Sequence, residues 1–335
     1  MVKLIIRGIR RAKFKTIWQT AKRVAKEHKR LTLFVFFDMA WCVFLYGAGY
    51  VDYEIFEFGR IGGKARKTFV TQGENEKIVR ELNSKEDRYL SDDKGETNRF
   101  FADYIRRDWL DLRLCEVAEF ADFVSRHQYI IVKTPDGTCG KGIEKIHTKD
   151  IDAQEMYHKL VQSGQTIVEE CVVQHSDIGA LYPSSVNTIR LVTIADNSGK
   201  VHVVFRAMRL GASGGVVDNF NSGGMFVLIG EDGIISSDAI NAKTEIFHRH
   251  PDTNSVFAGT KVPFFAQSMD MVTQAATLLP RVRYIAWDVA VTENGPLLIE
   301  LNQHPCHLLL QSKVYLRNNK KGLLPIFKNA IQGKI

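Results

Sequence analysis

The feature that most constrains the fold of this chain is the stretch WDVAVTENGPLLIELN near its carboxyl end. Two short apolar runs are joined there by Glu-Asn-Gly, a combination that strongly indicates a β-hairpin. Side chains alternate between the two faces of a strand, so Asp288 takes one face of the first run. Glu300 and Asn302 share one face of the second run. The hairpin therefore carries three oxygen-bearing side chains among apolar neighbours.

The register of this hairpin decides whether these side chains meet. A pairing of Thr292 with Pro296 would place Asp288 directly opposite Glu300. Opposed Cβ atoms lie roughly 4.5–5.5 Å apart, and like charges there are destabilising unless a cation neutralises them. Carboxylate and amide oxygens are hard ligands that suit Mg²⁺ or Mn²⁺ bound together with substrate phosphates. Asp288, Glu300 and Asn302 are therefore predicted to bind a metal ion, with a solvated hairpin face as the alternative.

Charge is distributed unevenly along the 335 residues, whose net charge is +7. Residues 1–30 hold eleven Lys/Arg and one acid, which leaves 34 Lys/Arg against 37 Asp/Glu in the remainder. A slightly acidic body argues against an enzyme with a basic groove for nucleic acid. The five cysteines form no CxxC pair, which favours a reducing compartment. No signal peptide is evident, and we expect a cytoplasmic protein.

The first fifty residues raise the question of a membrane. Residues 1–30 have the spacing of a basic amphipathic helix, which can lie on an anionic membrane surface or dock its apolar stripe on the body. Both alternatives remain open from sequence. Residues 31–50 are apolar enough to suggest a membrane span, but Asp38 near the middle would be costly in a bilayer. A buried helix of a soluble lobe is the preferred interpretation.

A glycine-rich loop follows a predicted strand in the middle of the chain. The strand is YIIVK, residues 129–133, and the loop is TPDGTCGKG. Gly137, Gly140 and Gly142 would let the backbone approach a phosphate and point N–H groups at it. The loop matches neither the Walker A motif nor GxGxxG. Lys133, at the end of the strand, would supply a positive charge to a nucleotide phosphate.

Three later strands carry charges that apolar strands rarely hold. In TIVEECVV the side chains of Glu169 and Glu170 point to opposite faces, so one of them faces a polar pocket where it could accept the exocyclic amine of adenine. Arg190, Arg206 and Arg209 interrupt two adjacent apolar strands predicted to pair antiparallel, and structural salt bridges are the alternative explanation for some of them. A buried arginine normally needs an anion to offset its desolvation, which suggests an anion-binding floor.

Taken in order, these features resemble the ATP-grasp fold. The pieces QH, SVNTIRLVT, RLG…VDN…GG and the carboxyl-terminal hairpin resemble more closely its sugar-transfer-associated branch, and the similarity extends over residues 35–310. Proteins of this branch occur beside polysaccharide and capsule biosynthesis genes and are loosely related to RimK-type glutamate ligases. The resemblance implies an α+β protein with two α/β lobes of antiparallel sheet clasping ATP, plus an N-terminal helical extension.

The resemblance also implies roles for individual residues. Phosphates, adenine and ribose of ATP would be contacted by Lys94, Lys133, Gly137, Gly140, Lys141, Gly142, Glu169, Glu170, Val172, His175 and Asp177. One or two Mg²⁺ ions would be held by Asp288, Glu300 and Asn302. The γ-phosphate and the carboxylate to be activated would be faced by Arg190, Arg209 and Asn219.

The domains expected on this basis are consecutive along the chain. They are a basic amphipathic helix (1–30), a helical or mixed subdomain (31–92), a small glycine-loop subdomain (93–165) and a large metal and substrate subdomain (166–335).

The chemistry implied is an ATP- and Mg²⁺-dependent carboxylate–amine ligase that acts through an acyl phosphate in polysaccharide or glycan modification. Its partners would be ATP, a small carboxylate and an amine, such as an amino acid and a sugar or glycan, without nucleic acid. Residues 1–30 would contact the inner face of the membrane peripherally. The alternative is a kinase of the same fold that phosphorylates a sugar hydroxyl. A non-catalytic scaffold is disfavoured because the metal and phosphate groups are all present.

Overall fold

The computed structural model describes residues 14–137, 140, 142–215, 218–220, 223–317 and 321–335. Lys141 and residues 1–13 of the predicted basic helix lie outside the described residues. The helices are α1 (Phe14–His28), α2 (Thr32–Tyr46), α3 (Tyr50–Ile55), α4 (Gly63–Arg66), α5 (Gln72–Leu82), α6 (Tyr89–Asp92), α7 (Lys94–Phe100), α8 (Ala102–Ile105), α9 (Val117–Arg126), α10 (Ala153–Ser163), α11 (Ser176–Gly179), α12 (Phe265–Thr277), α13 (Lys313–Leu316) and α14 (Leu324–Ile331). Short 3-10 helices occupy Phe58–Arg60, Glu86–Arg88 and Leu309–Gln311. The strands are β1 (Trp109–Asp111), β2 (Tyr129–Lys133), β3 (Glu144–His147), β4 (Ile167–Glu170), β5 (Ile189–Ala195), β6 (Val201–Leu210), β7 (Met225–Leu228), β8 (Ala239–Asn241), β9 (Ile246–Phe247), β10 (Tyr284–Thr292) and β11 (Gly295–Asn302).

The smaller lobe is a four-stranded antiparallel sheet with the strand order β1-β4-β2-β3. One of its two central strands, β2, is the β-branched run YIIVK predicted from sequence. Phe120 and Phe123 of α9 and Leu160 of α10 pack on this sheet. Each buried side chain of this size stabilises the lobe by roughly 1.5–3 kcal/mol. Because β4 belongs to this sheet, we move the lobe boundary predicted between 165 and 166 to follow Glu170.

The larger lobe is a seven-stranded antiparallel sheet with the order β11-β10-β5-β6-β7-β8-β9. Val272 of α12 packs with Leu191 of β5 in the core on one face. On the other face, Phe327 of α14 packs with Tyr284 of β10. The short helices α7 and α8, predicted in the small subdomain, pack on the larger core through Phe101. Two lobes of antiparallel sheet are thus formed, as the sequence predicts.

The β10–β11 hairpin brings its two carboxylates together by a different register from the expected one. Thr292 pairs with Gly295 rather than with Pro296. Without a further shift, this register would leave Asp288 one residue away from the position opposite Glu300. A β-bulge between Asp288 and the next residue shifts the pairing by one. Asp288 is therefore directly opposite Glu300, as predicted, but through a bulge that the sequence does not reveal.

The N-terminal helices form a separate apolar core beside the sheet. The described part of the basic helix, α1, docks on the body and buries Ala21 and Val24. Asp38, in the middle of α2, accepts hydrogen bonds from Arg66 at 2.8 Å and from the Tyr53 hydroxyl at 2.6 Å. The carboxylate that argued against a membrane span is thus neutralised inside this core.

The interpretation of residues 31–50 as a buried helix is only half correct. Helix α2 buries Val35, Met39 and Cys42 but leaves its opposite face exposed. Among the helices of the described residues, none combines the length and apolar character needed to cross a bilayer.

Candidate active site

A cavity of about 450 Å³ lies between the glycine-rich loop and the larger sheet. Its wall brings together many of the residues predicted for the site. They are Lys94, Gly137, Arg190, Arg209, Asn219, Glu300 and Asn302. Helix α3 contributes Val51 and Ile55, which make one side of the wall apolar. A polar, charged floor with an apolar side is the usual composition of a pocket for a small molecule.

Two arginines hold Asp288 beneath this cavity. The Arg190 guanidinium donates to both Asp288 carboxylate oxygens, at 2.5 and 2.7 Å. Arg209 donates to Asp288 at 2.6 Å and forms an ion pair with Asp218 at 3.0 Å. Asp218 in turn accepts from the Thr188 backbone N–H at 3.0 Å. Because these residues lie on the paired strands β10, β5 and β6 or just beside them, the sheet fixes the geometry of the cluster.

The two opposed carboxylates differ in their tendency to ionise. Burial opposes ionisation of Asp288, but Arg190 and Arg209 outweigh it and lower the pKa of that carboxyl. Burial raises the pKa of Glu300, and the negative charge of Asp288 and a hydrogen bond between the two raise it further. Glu300 is therefore the less acidic carboxyl of the pair, and Asp288 the more acidic one.

The hairpin residues fit a divalent cation. A cation at Glu300 would neutralise the Asp288–Glu300 pair and so offset the repulsion that raises the pKa of this carboxyl. An ionised carboxylate offers about four acceptor sites, so Asp288 can accept from its arginines and still face a metal. The Asn302 amide nitrogen is buried without a partner among the described residues. A 180° flip of the Asn302 amide would place its oxygen at this position instead.

Lys94 joins the glycine-rich loop to the floor of the cavity. It begins α7, whose first turn is capped by the Asp93 carboxylate accepting from two backbone N–H groups. The Lys94 ammonium donates to the Gly137 carbonyl at 2.5 Å and to the Pro135 carbonyl at 3.4 Å. Burial lowers the pKa of Lys94, although Glu300 nearby opposes this shift. A desolvated ammonium of this kind is well placed to receive an anion.

Lys133 and Glu169 form a buried ion pair with two residues that sequence reasoning missed. The Lys133 ammonium lies 2.5 Å from Glu169 Oε2. Arg107 donates to both Glu169 oxygens, at 3.0 and 2.8 Å, and Asn98 donates at 3.2 Å. Burial opposes ionisation of Glu169, but Arg107 and Lys133 lower its pKa below the ordinary range.

This network changes the expectation for Glu169. Its two oxygens accept four hydrogen bonds from three residues, which fills the roughly four acceptor sites of a carboxylate, whereas a contact to the exocyclic amine of adenine needs a free acceptor. Arg107 also donates to the backbone carbonyls of Leu298 and Ile299, so the network ties the smaller lobe to β11. The only sequence signal for Arg107 was its place at the end of an amphipathic helical pattern.

The glycine-rich loop has the backbone conformation expected of its glycines. Gly140 and Gly142 have φ angles of +72° and +70°, in the left-handed region that favours glycine. A Cβ on Gly142 would also lie 3.1 Å from Thr134 Cγ2. On β4, Glu170 points away from Glu169, and its carboxylate lies 3.8 Å from His127.

The linker after β4 leads away from the cavity. Val172 is half-buried in this linker, and the His175 backbone N–H donates to the Val291 carbonyl at 2.7 Å. His175 Nε2 lies 3.2 Å from Glu293 in the turn of the β10–β11 hairpin. Asp177 is exposed and lines a separate open hollow of about 770 Å³. Within the described residues, the wall of the 450 Å³ cavity does not include these three linker residues.

The chain has two lobes of antiparallel sheet and a glycine-rich loop beside a cavity lined by lysine, arginine and carboxylate side chains. This combination defines the ATP-grasp class of proteins. Within this class, the chain belongs to the sugar-transfer associated ATP-grasp family, whose family model matches residues 79–329. The resemblance drawn from the sequence motifs is thereby confirmed.

Solved structures with similarity to this chain include several synthetases and ligases. D-alanyl-alanine synthetase A from Vibrio cholerae is 12% identical with a TM-score of 0.42, covering 73% of this chain and 65% of its own. N5-carboxyaminoimidazole synthetase from Staphylococcus aureus, complexed with ADP, is 12% identical with a TM-score of 0.44, covering 73% and 52%. Phosphoribosylamine–glycine ligase from Thermotoga maritima is 11% identical with a TM-score of 0.43, covering 76% and 57%. The chain thus spans between about half and two thirds of the length of these proteins. No curated protein matches the chain significantly.

Proposed function

We propose that this protein is an ATP- and Mg²⁺-dependent carboxylate–amine ligase that acts through an acyl phosphate. The observation that carries the proposal is the cavity of about 450 Å³ in which Lys94, Arg190 and Arg209 converge on the Glu300–Asn302 edge of the hairpin. Cations on one side and paired oxygen ligands on the other are what a metal-bound triphosphate requires.

In this proposal ATP binds with its phosphates in the cavity. Lys94 and Lys133 contact phosphate oxygens, and the backbone of residues 137–142 closes over them. The main chain near Val172 is proposed at the adenine, with His175 or Asp177 toward the ribose. Lys94 would exchange its carbonyl acceptors on the loop for a phosphate oxygen, a stronger charge-assisted partner.

Magnesium, when bound by Glu300, Asn302 and Asp288, would neutralise charge on the phosphates during transfer. The protein residues supply the remaining electrostatics. Asp288 and Asp218 hold the Arg209 guanidinium at two points, so its orientation is set before substrate arrives. Guanidinium groups have five N–H donors, and those left over on Arg190 and Arg209 can reach the transferring phosphoryl group.

The first chemical step forms the acyl phosphate. A substrate carboxylate oxygen attacks the γ-phosphorus of ATP, the bond from that phosphorus to the bridging oxygen breaks, and ADP leaves. Arg190, Arg209 and Asn219 are proposed to orient the carboxylate and to stabilise the charge that develops. No protein nucleophile is required, because positioning and electrostatics supply the catalysis.

The second step forms the amide. The amine nitrogen attacks the carbonyl carbon of the acyl phosphate, inorganic phosphate leaves, and the nitrogen loses a proton to solvent. The apolar side of the cavity near Val51 and Ile55 would exclude water from this intermediate and so limit its hydrolysis.

We propose that the acceptor is a sugar, glycan or related amine, in keeping with the description of the family. The reaction would take place in the cytoplasm, where MgATP is present. The N-terminal region would bring the protein into peripheral contact with the inner face of the membrane.

An ADP-release screen over amino acids and amino sugars, with products identified by mass spectrometry, tests the proposal. We expect release only when a carboxylate and an amine are both supplied, and a hydroxamate when hydroxylamine replaces the amine. The variant Glu300→Gln should abolish release, whereas Glu155→Gln, at an exposed position of α10, should not. A phosphorylated sugar without hydroxamate would identify a kinase and reject the ligase.

A further inference from the structure

Helix α2 presents an unusually apolar face to solvent. Its exposed side chains follow a spacing of one, three or four residues and so form a single stripe along the helix. They are Leu33, Phe34, Phe37, Ala40, Trp41, Phe44 and Leu45. The six larger ones are each between 52% and 65% exposed. Soluble proteins rarely leave so much contiguous apolar surface uncovered unless it serves a contact.

The stripe contains no charged side chain, because Asp38, the one charged residue of α2, is turned toward Arg66 and Tyr53 in the N-terminal core. Asp38 is held inside the N-terminal core by its ion pair with Arg66 at 2.8 Å. The face opposite to the stripe is anchored by Val35, Met39 and Cys42. The exposed stripe is therefore not needed to hold the helix in place, and its side chains are free for another partner.

Lysines border this stripe on the side of α1. Lys15, Trp18, Lys22 and Lys26 follow one another at spacings of three, four and four residues, which places them on one edge of α1. Trp18 packs on Phe36 of α2, with ring centroids 5.6 Å apart, so this edge adjoins α2.

Other charged residues on or beside α1 and α2 add to the positive charge next to the apolar stripe. The Arg30 guanidinium lies 5.7 Å from the centre of the Phe34 ring, at the start of the apolar stripe. The one acid of residues 1–30, Glu27, forms an ion pair with Lys313 at 3.0 Å and so does not offset the lysines. An apolar stripe thus lies beside a row of cations.

We propose that the exposed face of α2, with the lysine edge of α1, docks on a bilayer that contains anionic lipids. The aromatic side chains enter the boundary between headgroups and acyl chains, and the lysines meet lipid phosphates. A second copy of this chain fits the surface less well, because a two-fold contact would bring its lysine rows against each other.

This inference specifies the membrane contact of the proposed function and moves its apolar part from residues 1–30 to α2. It rests on the proposed function for location alone and does not depend on the ligase chemistry. Helix α3 follows α2 directly and places Val51 and Ile55 in the wall of the cavity. The docked subdomain therefore also borders the active site, and an acceptor held at the bilayer surface would lie close to it.

The experiment is co-sedimentation of the full chain with vesicles of phosphatidylcholine alone or with phosphatidylglycerol. We expect binding to the anionic vesicles only, and a loss of at least about tenfold in the double variant F37S/W41S. Leu114→Ser, at a position 72% exposed in the smaller lobe, is the matched control and should bind as the wild type does. Lys22→Glu with Lys26→Glu should weaken binding without touching the apolar stripe.

MgADP affinity is measured on the same variants, and we expect it to be unchanged. If the wild type binds anionic vesicles but does not bind MgADP, the result counts against the proposed function and leaves the docking surface standing. Failure of the wild type to sediment with anionic vesicles, or equal binding by F37S/W41S, would overturn the docking proposal. A wild-type dimer in light scattering that becomes monomeric in F37S/W41S would assign the face to a second copy instead.

Discussion

Asp288 and Glu300 face each other across the β10–β11 hairpin, yet their carboxyl groups have pKa values shifted in opposite directions. The asymmetry arises because Arg190 and Arg209 both donate to Asp288, at 2.5–2.7 Å. Glu300 is half-buried beside that negative charge and lines the cavity. Glu300 is therefore the position at which an added cation has the largest effect.

Magnesium should stabilise the protein in a pH-dependent manner. The folded-state pKa of Glu300 is raised, so its proton stabilises the fold at low pH, and that contribution is lost as pH rises through the raised value. Because Mg²⁺ replaces the proton, the rise in Tm on adding Mg²⁺ should be larger at slightly alkaline pH than at acidic pH. In Glu300→Gln the rise should shrink and lose its pH dependence. An equal rise at both pH values would contradict the assignment.

The two carboxylates should respond differently to substitution. Asp288→Asn removes the counter-charge of Arg190 and Arg209 and should lower the free energy of unfolding by about 3–5 kcal/mol. Glu300→Gln removes a charge that burial and the neighbouring Asp288 already disfavour, and it should cost far less. Both should lose at least about 100-fold in ADP release. Urea unfolding of the pair distinguishes the roles, and equal stability losses would be inconsistent with the arginine cluster.

Glu169 should behave as part of the internal ion-pair network. Glu169→Gln leaves Arg107 and Lys133 buried with reduced compensation, and we expect a loss of about 3–5 kcal/mol in the free energy of unfolding. Glu170→Gln, one residue along the same strand and half-exposed, is the matched control and should change stability little. A Glu169→Gln variant as stable as the wild type, with weaker MgADP binding, would restore the adenine-contact interpretation.

The glycine-rich loop can be tested with two glycines that have similar φ angles. Gly142 and Gly164 have φ angles of +70° and +76°, so alanine at either position should cost about 1–2 kcal/mol in stability. Gly164 ends α10 and has open space around it. Only Gly142→Ala should reduce MgADP affinity, measured by calorimetry. Similar affinities in the two variants would exclude the loop from the nucleotide site.

The sequence predicts the strands well where local signals are strong. The YIIVK strand, the pairing of β5 with β6 and the carboxyl-terminal hairpin all follow from β-branched runs and turn residues. The sequence predicts the opposed pair Asp288–Glu300, but it does so from a register in which Thr292 pairs with Pro296 rather than with Gly295. A bulge supplies the missing residue, and nothing in the local sequence marks a bulge in an apolar strand.

Long-range contacts account for what the sequence did not reveal. Arg107 reaches Glu169 across 62 positions, and no local pattern indicates such a partner. For the same reason the sequence does not indicate the ion pair that engages Glu169, and the ATP-grasp resemblance implies an adenine contact in its place. Apart from Asp38, helix α2 is apolar on all sides, so its sequence has no amphipathic pattern. Only its packing against α1 and α3 shows which face remains exposed. The roles in catalysis and in nucleotide binding remain predictions.

A crystal structure with Mg²⁺ and a non-hydrolysable ATP analogue tests the central claim most directly. The account predicts the triphosphate in the 450 Å³ cavity, with the metal on Glu300 and Asn302 and the γ-phosphate within hydrogen-bonding distance of Arg190 or Arg209. A triphosphate bound outside this cavity, or a metal that does not contact the hairpin, would contradict it.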